Sequence, residues 1–154
     1  MLASMGVALA LHVLSAVVWI GGMFFAYLCL RPAVAPLPPA ERTALWTRVL
    51  GHFFKWVLIA VPLILLSGLW MMMNELPLVP LRVHLMLGIG ILMMLLFLHV
   101  YFAPFRRLRR AVAAGDTPLA ATQIGTIRKL VAVNLGLGMV VVVIATAGRY
   151  LLPA

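Results

Sequence analysis

The sequence predicts an all-α integral membrane protein, a bundle of four transmembrane helices running up-down-up-down. Three observations carry this. Hydrophobic residues make up 66% of the 154 residues and charged residues only 10%, where a soluble domain runs near roughly half and a quarter. Four uncharged runs, Val7–Leu30, Trp56–Asn74, Val83–Phe105 and Leu130–Gly148, are 19 to 24 residues long, and about 20 suffice for a helix to cross a bilayer. None of the runs alternates as the strands of a membrane barrel do, and lipid satisfies no backbone polar group, so each run must close its own hydrogen bonds as a helix.

The elements follow in order. Spans are expected at about 5–30, 52–75, 81–105 and 128–150 within one domain, 1–154. The first run reads as a mature span rather than a signal peptide: no positive segment precedes it, its apolar stretch is too long, and Arg31-Pro32 follows directly. Pro32, Pro36, Pro38 and Pro39 break the chain there, and from Glu41 it turns helical again and runs into span two. Pro77 and Pro80 mark the turn into span three. Ala114-Gly115-Asp116-Thr117-Pro118 is a turn in which Asp116 or Thr117 can cap the next helix. Each half thus reads as span, basic connection, span.

The net charge of +9, from 12 Lys and Arg against 3 Asp and Glu, would suggest a nucleic-acid partner on a soluble chain. Here it is a topology signal. Arg31, Arg42, Arg48 and Lys55 lie in the first connection, and Arg106, Arg107, Arg109, Arg110, Arg128 and Lys129 in the third. The positive-inside rule puts these connections in the cytoplasm and both termini on the outer, periplasmic side. No aromatic-interleaved basic motif accompanies the charge, so no nucleic-acid partner is expected, and the lipid bilayer is. A single cysteine, Cys29, excludes an intrachain disulfide, and three acidic residues argue against a carboxylate-built catalytic or Ca/Mg site.

Polar groups inside spans are few, and each is informative. By depth the four histidines sort into an outer pair, His12 and His84, and an inner pair, His52 and His99. Imidazoles from facing helices can ligate haem iron or copper. Haem would use His12 and His84 axially, with Arg82 and Arg149 at the outer surface for its propionates, Gly88 one turn from His84 as a notch for a flat ligand, and Trp19 lining the pocket. A second haem at His52 and His99 would permit transmembrane electron flow. Copper would use His12 and His84 with Met86 and one or two of Met71, Met72 and Met73, Met5 lying nearby, since thioether and imidazole suit Cu(I). The structural alternative for each histidine is an interhelical hydrogen bond, and for each methionine the filling of apolar gaps, as expected at Met93 and Met94. Trp46 and Trp56 fit an inner aromatic belt and Trp70 an outer one. Asn134, Gly138, Ala145 and Gly148 form a small-residue stripe on span four, a close-packing face within the bundle or across a homodimer.

Leu11-His12-Val13 with Trp19-Ile20-Gly21-Gly22-Met23-Phe24 and then Arg31-Pro32 resembles the first span of the CopD-like (copper resistance protein D) membrane superfamily. Val83-His84-Leu85-Met86, His99-Val100-Tyr101-Phe102-Ala103-Pro104-Phe105 and the Arg106–Arg110 exit are similar to span three of small stand-alone CopD-like proteins. The likeness extends to HemJ-type protoporphyrinogen oxidases, four-span proteins holding haem b with a first-span histidine at the place of His12. It departs from them at Gly21-Gly22-Met23-Phe24-Phe25-Ala26-Tyr27, where that pattern leads to Tyr-Leu-Pro-Arg. The resemblance implies a multi-pass protein of the bacterial inner membrane. It implies haem b with a redox or electron-transfer role, alternatively copper binding or import, with a quinone or a periplasmic redox or copper protein as partner. A third expectation, from the residues alone, is a structural or assembly subunit without cofactor.

Overall fold

The computed structural model describes residues 2–75 and 80–151; Pro77 of the expected turn lies outside them, and the side chain of Arg149 is likewise not described. The described residues are helical almost throughout, with no strand among them. Helix α1 (Leu2–Phe24) passes into a π-helical segment, Phe25–Leu30, and a short turn of helix, α2 (Arg31–Ala33). Helix α3 spans Pro39–Glu75. Helix α4 (Leu81–Val100) passes into a second π-helical segment, Tyr101–Phe105, and on into α5 (Arg106–Ala113). Helix α6 (Thr117–Leu151) closes the chain.

Four stretches are long and apolar enough to cross a membrane: Ala3–Ala33, Pro39–Asn74, Leu81–Ala113 and Thr117–Gly148. At 31 to 36 residues they exceed the expected spans. At 1.5 Å per residue each is about 50 Å long, so roughly 20 Å projects beyond a bilayer's hydrocarbon core. The excess lies where the basic connections were expected, and these turn out to be largely helix. Between α5 and α6 only Ala114, Gly115 and Asp116 are non-helical. Gly115 takes a left-handed φ of 71°, and the Asp116 and Gly115 amides return to the carbonyls of Ala111 (2.9 Å) and Val112 (3.2 Å), a Schellman closure of α5. Asp116 then caps α6: its Oδ1 accepts the Leu119 amide at 2.9 Å.

The two π-helical segments have a common cause. Proline brings no amide hydrogen to the helix and its ring crowds the carbonyl four residues back. Pro32 lies two residues past the end of the first segment and Pro104 inside the second; a widened turn accommodates the missing bond. In each an arginine then stacks on the aromatic ring four residues before it, Arg31 over Tyr27 at 5.3 Å and Arg106 over Phe102 at 4.8 Å. The echo between the halves is therefore present in local structure.

Helix α1 packs along α3, and α4 with α5 along α6; α1 and α3 each meet α6 more sparingly. The core is aromatic. Phe54 of α3 meets Phe97 edge-on at 5.5 Å and Phe105 at 4.9 Å, and Trp19 of α1 meets Phe97 at 6.1 Å. Trp19, expected to line a haem pocket, is thus a core residue, and Met93 and Met94 are buried with it. Gly138 lets α6 approach: a Cβ there would come within 3.0 Å of Ile20 and 3.2 Å of Met93. This core occupies the half of the bundle toward the basic connections. The half carrying the chain termini buries two serines, Ser15 and Ser67.

Candidate functional site

On α1 the residues turned inward include Met5, Ala8, His12, Ser15, Ala16, Trp19 and Met23, a stripe of helical period along the seam with α3. His12 is the ionisable member of that stripe. Its Nδ1 lies 3.1 Å from Ser67 Oγ of α3. Ser67 is 8% exposed, and its hydroxyl donates to the Leu63 carbonyl one turn back, with the Ile64 carbonyl at 3.2 Å. A hydroxyl carries one hydrogen and a carbonyl only accepts. With that hydrogen on the backbone, the tautomer that completes the pair has His12 donating to Ser67 from Nδ1. Nε2 then carries the free lone pair, the state in which imidazole ligates a metal. Gly68 completes the seat: a Cβ there would stand 3.0 Å from His12 Cε1 and 3.3 Å from Nδ1, so a side chain would displace the ring.

This tautomer is measurable. Histidine-labelled protein in micelles should show by nitrogen NMR one ring, His12, protonated at Nδ1 and bare at Nε2. In Ser67→Ala that signal should lose its single-tautomer character. An unchanged His12 signal in Ser67→Ala would contradict the assignment.

The same face of α3 continues into sulfur. Met71 and Met72 stand four residues beyond Ser67 and Gly68, one turn on, and both are half-buried. Met73 points away and is 81% exposed. Because α1 and α3 run antiparallel, the turn of α1 beside Met71 and Met72 is the one from Ala8 toward Met5. Helical register therefore gathers one imidazole and up to three thioethers at the end of the α1–α3 seam that carries the termini.

The other expected site residues lie elsewhere. His84 is exposed at the start of α4, its Nδ1 3.3 Å from the Pro80 carbonyl of its own first turn. Gly88 shares that exposed face, and a Cβ there would meet nothing within 4 Å. Arg82 and Met86 are half-buried on the same helix. His52 and His99 are exposed on α3 and α4. Among the described residues no three His, Cys, Asp or Glu side chains come together; a set of one imidazole and thioethers is of another kind. Ser67 and Gly68 were missed as site residues. Their signal was a small polar pair mid-span, one turn ahead of the methionine run, matching the small pair Ser15-Ala16 on span one.

One further polar group is buried without a partner. Asn134 Oδ1 of α6 is the sole such side-chain atom among the described residues. It borders a void of about 10 Å³ that Trp19 and Met23 also line, at the lower limit for one water molecule.

Compared with known families, residues 47–147 match the family model described as Copper resistance protein D, CopD. The matched stretch holds Ser67, Gly68, Met71 and Met72, and His12 precedes it. No curated protein and no solved structure matches the chain.

Proposed function

Because the chain belongs to the CopD (copper resistance protein D) family, we propose that this multi-pass membrane protein binds Cu(I) as cargo at the α1–α3 seam. The observation that carries the reading is the His12–Ser67 hydrogen bond, which seats the imidazole against α3 one turn from Met71 and Met72. Imidazole and thioether form a soft, uncharged donor set that favours Cu(I) over Zn(II), Mg(II) or Ca(II). An uncharged set also suits a site inside a span, where a carboxylate would be costly. Ser67 orients the imidazole, as an outer-shell partner does in metal sites generally.

The basic connections support, by the positive-inside rule, an orientation with this seam toward the periplasmic side of a bacterial inner membrane, and in that orientation the cargo would arrive from a periplasmic copper protein. The haem b reading, with His12 and His84 as axial ligands or His52 and His99 as a second pair, asks for imidazoles aimed at one another. His84, His52 and His99 lie on exposed faces, and copper is the reading the geometry favours.

Protein purified in detergent from copper-supplemented cells, then dialysed, is expected to retain about one copper per chain. It should show no Soret band even from haem-replete cells. A haem spectrum lost in His84→Ala would favour the haem reading instead. Colourless protein free of copper would overturn both.

A further inference from the structure

A second cavity lies at the opposite, basic end of the bundle. It has a volume of about 730 Å³ and is walled by the first π-helical segment, the start of α3 and the start of α6. Three arginines from three elements line it, Arg31, Arg42 and Arg128. No carboxylate is among the described residues around it, and the whole chain has only 3 acidic residues against 12 Lys and Arg. The three arginines, Arg42 half-buried and Arg31 and Arg128 exposed, thus share a lining that holds no carboxylate. Arg31 is held over Tyr27, and Arg42 is steadied by one hydrogen bond, Nη1 to the Ala35 carbonyl at 3.1 Å, which leaves the rest of its donor fork free.

Apart from Tyr27 and from Thr43, whose hydroxyl donates to the Ala40 carbonyl, the rest of the wall is apolar. Leu50, Ile127 and Val131 continue it along α3 and α6, in the direction of the spans. The cavity is far larger than an inorganic anion needs. Cations at the headgroup level over an apolar wall match one class of molecule: an amphiphile with a phosphate at one end and hydrocarbon at the other.

We infer that this cavity is a binding site for an anionic phospholipid, its phosphate held by Arg31, Arg42 and Arg128 and its acyl chain against the wall formed by α3 and α6. Basic pockets between helices on the cytoplasmic side recognise such headgroups through charge-assisted, bidentate hydrogen bonds. The site is separate from the α1–α3 seam and does not depend on the copper reading.

Two kinds of variant test it. Gly125 of α6 lines the cavity, and a Cβ there would meet nothing within 4 Å. Gly125→Leu therefore fills the space with no clash at the backbone. Arg31→Gln with Arg128→Gln removes two of the three charges and leaves the Arg42–Ala35 bond intact. Arg107→Gln with Arg110→Gln, on exposed α5 positions outside the cavity, removes the same charge and serves as control. Retention of phosphatidylglycerol by the purified chain is read by native mass spectrometry and by the rise in unfolding temperature on lipid addition.

The wild type and the control should retain one phosphatidylglycerol, both cavity variants should hold it at least about tenfold more weakly, and phosphatidylcholine should bind the wild type at least about tenfold more weakly. The proposal fails if Gly125→Leu retains the lipid unchanged, or if the control loses it as fully as the double variant. It fails also if phosphatidylcholine binds equally, or if inorganic phosphate alone produces the same stabilisation.

Discussion

His12→Ala should bind Cu(I) at least about a hundredfold more weakly than the wild type while keeping the same helix content and unfolding temperature within a few degrees. Removing the imidazole takes away the one nitrogen ligand and leaves Ser67 with its bond to the Leu63 carbonyl intact, so the fold loses little. Graded variants separate ligation from orientation. Ser67→Ala keeps the imidazole but frees its ring, and the loss should be about ten- to a hundredfold. Gly68→Ala pushes a methyl to 3.0 Å from His12 Cε1 and should act in the same direction by displacing the ring. Met71→Leu with Met72→Leu preserves apolar volume and removes sulfur, so copper should be lost without loss of stability. Met73→Leu, at an exposed position, should change nothing. Competition with a chelator of known Cu(I) affinity reads all five.

The largest effect on stability is expected at Phe54. It is 2% exposed and meets the rings of Phe53, Phe97, Tyr101 and Phe105, with centroids 4.9 to 6.2 Å away. In water, truncating such a residue costs about 3–5 kcal/mol, part of it transfer and part cavity. In a bilayer the transfer part shrinks, because lipid tails are as apolar as the core, and lost packing remains. Phe54→Ala should therefore destabilise by about 2–3 kcal/mol, lowering the unfolding temperature in micelles by roughly 5 °C or more. Phe102→Ala is the comparison. That ring is 51% exposed, and its removal forfeits mainly the Arg106 stacking at 4.8 Å. Equal effects of the two would mean that the aromatic cluster does not hold the spans together.

Much of this architecture can be read without coordinates. Membrane spans are long, uninterrupted and uncharged, so Ala3–Ala33 and its three counterparts stand out by composition alone. The Asp116 cap and the Gly115 turn are local chemistry, and local chemistry is legible. Helix ends were less so: the arginine-rich connections look like loops by charge, yet they continue as helix because nothing from Arg106 to Ala113 breaks it. Depth sorted His12 with His84, since both lie near the same end of their spans. Depth does not say which helix lies beside which. The neighbour of His12 is α3, through a bond to Ser67, and that pairing depends on how small residues on both helices let the backbones approach. The three-arginine cavity was legible only as charge, because Arg31, Arg42 and Arg128 are brought together by the ends of three separate elements.

In the copper reading an imidazole nitrogen and thioethers meet the metal at one seam. X-ray absorption at the copper edge of the Cu(I)-loaded protein reads that shell. A first shell of sulfur together with one nitrogen, reduced to sulfur alone in His12→Ala, is the result expected here. A shell of nitrogen and oxygen without sulfur, or a spectrum indifferent to His12, would contradict it.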